Sequence, residues 1–147
     1  MNTNDNREIH DDAQIEADCV FCKIIRNEIP AVKIYEDDNS LVFLDIKPKT
    51  RGHALIIPKS HFENIYSTPV ETWCHINITA QKIAIAIKNG LSADGINILM
   101  NNESGAGQDI FHSHIHVIPK YNDFEDSKYT YIAGEMEEVA QKIIEVL

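Results

Sequence analysis

With 147 residues, 44% of them apolar, the chain is one domain's worth of sequence and can close a core without disulfides. Its 13 Lys+Arg against 23 Asp+Glu give a formal charge of -10, which excludes wholesale nucleic-acid binding, since that needs a basic face. A small phosphorylated ligand stays possible, because a single pocket can be positive inside an acidic protein.

Residues 1 to 18 carry Asp5, Glu8, Asp11, Asp12, Glu16 and Asp18 against Arg7 alone, together with Asn2, Asn4 and Asn6. The segment is expected to be a solvated, disordered acidic tail, because it cannot bury enough apolar surface to offset its ordering entropy. It has neither the basic nor the apolar region of a signal peptide. No later stretch approaches the roughly 18 apolar residues of a membrane span, so a cytoplasmic protein is expected. Three cysteines in a reducing compartment do not make a disulfide framework. Cys19 and Cys22, in Cys19-Val20-Phe21-Cys22, have the spacing of a metal knuckle, with a redox pair or buried thiols as alternatives. A thioredoxin-like pair would lie between a strand and a helix, whereas here the acidic tail precedes it.

From Cys19 onward there is no repeat, low-complexity block or linker, so residues 19–147 read as one domain. Val32 to Glu36 alternates, Ser40 to Asp45 is a short apolar run, and Glu36-Asp37-Asp38-Asn39 between them has turn chemistry, which predicts a β-hairpin. His53 to Ile57 reads as a third strand that Pro58 closes. Thr68-Pro69-Val70-Glu71 has the form of a helix start, with Thr68 as cap, Pro69 at the first position and Glu71 returning the capping-box bond. Trp73, Ile76, Ala80, Ile83, Ala84, Ile87 and Leu91 then form one stripe, with Cys74 packed beside it and Gly90 ending the helix. Ile96 to Asn101 and Ser113 to Pro119 are predicted strands, and a second helix is expected from about Glu135 to the C-terminus. This order of elements points to an α+β fold, an antiparallel sheet of about five strands with helices packed on one face.

His112-Ser113-His114-Ile115-His116-Val117-Ile118 carries the strongest chemical signal. On an extended chain alternate side chains share a face, so His114 and His116 point one way, His112 joins them if it is already extended, and Ile115 and Val117 face the core. Such a wall suits two chemistries. A neutral imidazole can attack phosphorus while its neighbours hydrogen-bond the phosphate oxygens, or three imidazoles can hold a catalytic zinc. The glycine-bearing segment Asn101 to Gln108 favours the first, because its backbone can turn N–H groups toward an anion.

These residues resemble the histidine triad superfamily, in particular its branch of small nucleotide-binding hydrolases and transferases. The likeness also rests on Phe21-Cys22-Lys23-Ile24-Ile25, Glu28-Ile29-Pro30, Tyr35-Glu36-Asp37, Phe43-Leu44-Asp45-Ile46, Gly52 to Lys59 and Ala106-Gly107-Gln108, in the family's order. The resemblance implies the histidine triad fold and a nucleotide phosphoramidate hydrolase or nucleotidyl transferase. His114 would take the nucleotidyl group covalently, with His112 and His116 orienting the phosphate. Asn101 and the Gly107-Gln108 backbone would hold the α-phosphate, Asp45 both ribose hydroxyls, and Phe21, Ile24, Phe43, Ile46 and Leu55 would wall the base pocket. It also implies a structural zinc on Cys19, Cys22, His61 and His112, no metal needed at phosphorus, and a homodimer formed through the Thr68 to Leu91 helix. The alternatives are a dinucleoside polyphosphate hydrolase, a non-catalytic nucleotide- or protein-binding module, and a metallohydrolase with its metal on the triad. Two residues depart from the family pattern: Ser113 replaces an apolar residue, and Asp109 stands where relatives often carry a hydroxyl. Asp109 is therefore expected to act as a general acid if the phosphate's charge raises its pKa.

Overall fold

The computed structural model describes residues 16–126 and 128–147. The acidic tail thus falls outside the described residues except for 16–18, which form a turn whose Glu16 carbonyl accepts the Cys19 N–H. Strands β1 (Lys33–Glu36), β2 (Ser40–Leu44), β3 (Ala54–Pro58), β4 (Gly95–Leu99) and β5 (Ile115–Lys120) form one antiparallel sheet in the order β1-β2-β3-β5-β4. Helices α1 (Val20–Ile25), α2 (Val70–Leu91) and α3 (Glu135–Ile144) complete an α+β fold. No helix among the described residues is long and apolar enough to cross a membrane.

Strands β2 and β3 are buried along their whole length because both faces of the sheet are covered. Val42, Leu44, Ala54, Ile56, Ile115 and Val117 pack under Ile76, Ala80, Ile83 and Ile87 of α2 and Val139, Ala140 and Ile143 of α3. Leu41, Phe43, Leu55 and Ile57 face the other way and meet Phe21 and Ile24 of α1. The alternation of one strand therefore builds two cores. Helix α1 was not foreseen: at six residues it is too short to show a periodic stripe, and Cys19 is its cap, its Sγ accepting the Cys22 N–H at 3.4 Å.

Three expectations about α2 need correction. Pro69, not Thr68, is the cap residue, and no side chain caps the helix. The Thr68 hydroxyl is used elsewhere, on the Asn64 carbonyl at 2.7 Å and the Ser113 hydroxyl at 2.5 Å. Gly90 does not end the helix, which runs to Leu91 and closes on Ser92 in the left-handed region, φ 54°. Gly90 instead lets α3 come close: a Cβ there would lie 2.6 Å from the Lys142 carbonyl oxygen. Cys74 is exposed rather than packed beside the stripe. The fifth strand also begins later than expected, at Ile115, which leaves His112 and His114 just ahead of the sheet.

Candidate active site and metal cluster

His114 and His116 share the α1 side of the sheet, their ring centroids 4.9 Å apart. His116 is paired with Leu55 in the β3–β5 register, while His114 sits in the extended stretch just before β5, its ring against the Phe21 edge at 5.2 Å. His114 Nδ1 lies 2.7 Å from the His112 carbonyl oxygen, which can only accept. The proton is therefore on Nδ1, and Nε2 carries a free lone pair. Burial pushes the His114 pKa down, against the His112 hydrogen bond and the Asp45 and Asp109 charges that push it up, so the ring is neutral at neutral pH.

His116 is oriented by a residue the sequence reading took only as the start of a strand. The Lys49 N–H donates to His53 Nδ1 at 3.0 Å, which places the His53 proton on Nε2. That N–H donates to His116 Nδ1 at 2.9 Å. His116 must then carry its own proton on Nε2, as a donor beside the His114 lone pair. Burial, then the His114, His53 and Lys49 charges, push the His116 pKa down to about 3, and burial also lowers that of His53. The missed signal was parity: His53 stands two residues before Leu55, on the same face as His116.

His112 leaves the wall. Its Nε2–H donates to the Pro58 carbonyl at 2.8 Å, and its Nδ1 faces Cys19 Sγ at 3.5 Å, Cys22 Sγ at 3.6 Å and His61 Nδ1 at 3.2 Å. Both ring nitrogens are thus engaged, which removes His112 from the phosphate-orienting role expected of it. The four ligand atoms of Cys19, Cys22, His61 and His112 lie within 4.8 Å of one another. The edges of a tetrahedron built on ordinary zinc–nitrogen and zinc–sulfur bonds are roughly 3.3–3.8 Å, so the donor set fits a closed zinc site. The carbonyl on His112 Nε2 fixes the tautomer that ligation requires, and Glu16 stands 3.7 Å from His61 Nε2. Cys22 and His112 are buried and Cys19 and His61 half-buried, and burial lowers the His112 pKa to about 4 and raises that of the Cys22 thiol to about 11.

A sequence profile of the HIT domain matches residues 26–123. The chain belongs to the HIT domain family. "Protein hit" of Bacillus subtilis is 48% identical over 103 residues, 70% of this chain and 71% of that one. Adenylylsulfatase HINT3 of Arabidopsis thaliana is 46% identical over 106 residues, 72% of this chain and 54% of that one. Among solved structures, a Hit-like protein of Bartonella henselae superposes with TM-score 0.85 at 38% identity, over 90% of this chain and 98% of that one. A Zn-bound histidine triad family protein of Mycobacterium smegmatis gives TM-score 0.81 at 42% identity, over 88% and 92% of the two chains.

In this HIT protein the other expected site residues are distributed as follows. Phe21, Ile24, Phe43 and Leu55 are buried together beside the triad, whereas Ile46 is 77% exposed on the rim. Asp45 lies 3.6 Å from His53 Nε2, and its Oδ1 already accepts the Lys47 N–H at 2.9 Å. Carboxylate oxygens have lone pairs to spare, so two hydroxyls can still be accepted. Asn101 is half-buried beside Gly107. The N–H groups of Gly107 and Gln108, expected to face an anion, are used inside the loop on Ser104 and Glu103 carbonyls at 3.0 and 3.1 Å. The Gln108 side chain is buried as a brace, donating to Glu63 and Ile110 carbonyls and accepting from Glu103 N–H. The loop's own turn takes these two amides. Asp109 is exposed, close enough for its charge to act on His114. Ser113 is fully buried, its hydroxyl held by Thr68 and its N–H donating to the Phe62 carbonyl at 2.7 Å.

Proposed function

We propose that the protein is a nucleotide phosphoramidate hydrolase or nucleotidyl transferase that works at the α-phosphate through a nucleotidyl group on His114. The observation that carries this reading is the fixed pair of tautomers: a lone pair on His114 Nε2 beside a proton on His116 Nε2. His114 Nε2 bonds to phosphorus as the bond to the leaving nitrogen breaks, and the positive charge that develops on the ring is stabilised by the His112 carbonyl on Nδ1–H. His116 Nε2–H donates to a phosphoryl oxygen, and the amine departs with a proton handed over by Asp109, a carboxylate in the free protein that would first take this proton from solvent as the anionic phosphate binds. Water then attacks phosphorus, His114 leaves as a neutral imidazole, and the proton released returns to Asp109.

Zinc on Cys19, Cys22, His61 and His112 belongs to the same proposal. It ties the first described turn of the chain to the triad segment and leaves phosphorus chemistry to imidazole. A homodimer is part of it too. Ile78 and Ile85 of α2 and Ile98 of β4 are 66%, 56% and 49% exposed, and the outer edge of β4 has no partner strand among the described residues. The dinucleoside polyphosphate reading differs in leaving group only, and the same nucleophile serves it.

The test is single-turnover labelling with adenosine 5′-phosphoramidate carrying a radioactive phosphorus. Native protein forms an acid-labile adduct and turns over; His114→Ala forms none and loses at least about three orders of magnitude in kcat/KM. Turnover of His114→Ala at the native rate would refute the assignment. An Asp109→Asn pH–rate profile identical to the native one would remove Asp109 from the mechanism.

A further inference from the structure

Ile46, on the rim next to Asp45, also lines a groove of about 740 Å³. It runs between the loop Ile46 to Lys49 and the returning segment around Lys128 to Thr130, and the Tyr129 N–H bonds the Pro48 carbonyl at 2.9 Å to hold the two walls together. Three lysines line it, Lys47, Lys49 and Lys128. None of them makes an ion pair among the described residues, although Arg26, Lys33, Lys59 and Lys120 all find carboxylates. The groove's one carboxylate, Asp126, is taken by Lys120. In a chain of formal charge -10, this groove thus gathers three lysines with no ion pair to any of them among the described residues.

That wall is physically continuous with the catalytic groups. The Lys47 N–H holds Asp45 Oδ1 at 2.9 Å, and the Lys49 N–H holds His53 Nδ1 at 3.0 Å. The backbone of the two lysines thus supports the ribose acceptor and the triad brace, while their side chains project into the groove. A nucleotide seated with its ribose at Asp45 would lie next to the loop that forms one wall of the groove. A neutral nucleoside gains nothing electrostatically from three lysines, whereas an anion is attracted to each of them.

We propose that this groove is a subsite for a second phosphate group of the nucleotide substrate, clamped by Lys47, Lys49 and Lys128. The inference rests on the nucleotidyl-His114 reading and narrows it to substrates that carry an anionic group besides the α-phosphate. Two parts of a nucleotide can supply that group, the ribose 3′ position, with Asp45 then holding the 2′ hydroxyl alone, or the far end of a polyphosphate chain, and lysine ammoniums take either as point charges.

The experiment measures Kd by calorimetry for AMP, adenosine 3′,5′-bisphosphate and ATP, with native protein and with Lys128→Glu, at low and at high salt. In native protein one of the two longer ligands binds at least ten-fold more tightly than AMP, and the advantage shrinks with salt. In the variant the advantage disappears while AMP still binds, which also reports an intact fold. A gain confined to the bisphosphate places the phosphate on the ribose; one confined to ATP places it on the chain. Equal Kd values for all three in native protein, or an advantage that survives the variant, overturns the groove. Failure of native protein to bind AMP at all would instead overturn the nucleotide reading beneath it.

Discussion

His53 is the group whose removal separates the imidazole chain from ordinary packing. His53→Ala deletes a ring that is 2% exposed and leaves two partners unmatched, the Lys49 N–H and His116 Nδ1. An orphaned buried donor costs about 1–3 kcal/mol, so a fall in stability of that size is expected. The catalytic loss has a different origin. Without the His53 N–H, His116 can place its proton on either nitrogen and is no longer held in position. A lost orienting hydrogen bond of about 1.4–2.7 kcal/mol corresponds to roughly 10- to 100-fold in kcat/KM. The assay is hydrolysis of adenosine 5′-phosphoramidate by native protein, His53→Ala, His116→Ala and the double variant, with nitrogen NMR of the rings as a direct readout. Since His53 acts through His116, the double variant should be no slower than His116→Ala. Losses that multiply, or a spectrum with the native His116 proton on Nδ1, would refute the relay.

Other expectations follow from contacts away from phosphorus. Gly90→Ala gains about 0.5–1 kcal/mol of helix propensity but sets a methyl 2.6 Å from the Lys142 carbonyl, an overpacking that costs about 1–3 kcal/mol. A lower Tm with normal activity is expected, and a raised Tm would show that α3 moves aside freely. Asp37 accepts from the Asn39 and Ser40 N–H groups, the Ser40 hydroxyl and His75. Burial raises its pKa, but these bonds outweigh it and hold the group down to about 2. Its contribution, on the order of 1–2 kcal/mol, is present above about pH 4 and lost as pH falls through about 2. In Asp37→Asn, denaturant titrations should show that pH window flattened; an unchanged pH dependence would assign it to other carboxylates. Metal analysis should find about one zinc per chain in native protein and none in Cys22→Ser, with a strong chelator lowering Tm. Full native stability without zinc would leave the cluster as buried thiols.

The legible parts of this fold are those whose signal is periodic and local. The alternation at Val32 to Glu36, the 22-residue stripe of α2 and the His-x-His-x-His spacing each gave an element or a face. The hidden parts depend on partners distant in sequence. Nothing local distinguishes Gly90 at a helix crossing from Gly90 at a helix end; the difference lies in Lys142. Thr68 has the chemistry of a cap, but Ser113, 45 residues away, competes for its hydroxyl. Identical parity could not show that His112 faces the cysteines while His114 packs against Phe21 and His116, because the sheet begins only at Ile115. The internal use of the Gly107 and Gln108 amides likewise depends on Glu103, which takes a positive φ of 71° and turns its carbonyl back onto the loop.

His112 belongs to two assemblies at once. Its ring completes the sulfur–imidazole cluster, and its carbonyl, part of the very next peptide unit, receives the His114 proton. The anchorage of α1 and the aim of the reactive His114 nitrogen therefore hang on a single residue. Any insult to the cluster, whether oxidation of a thiol or cleavage ahead of Cys22, would be transmitted to the reactive centre through one Cα, without any larger rearrangement of the sheet.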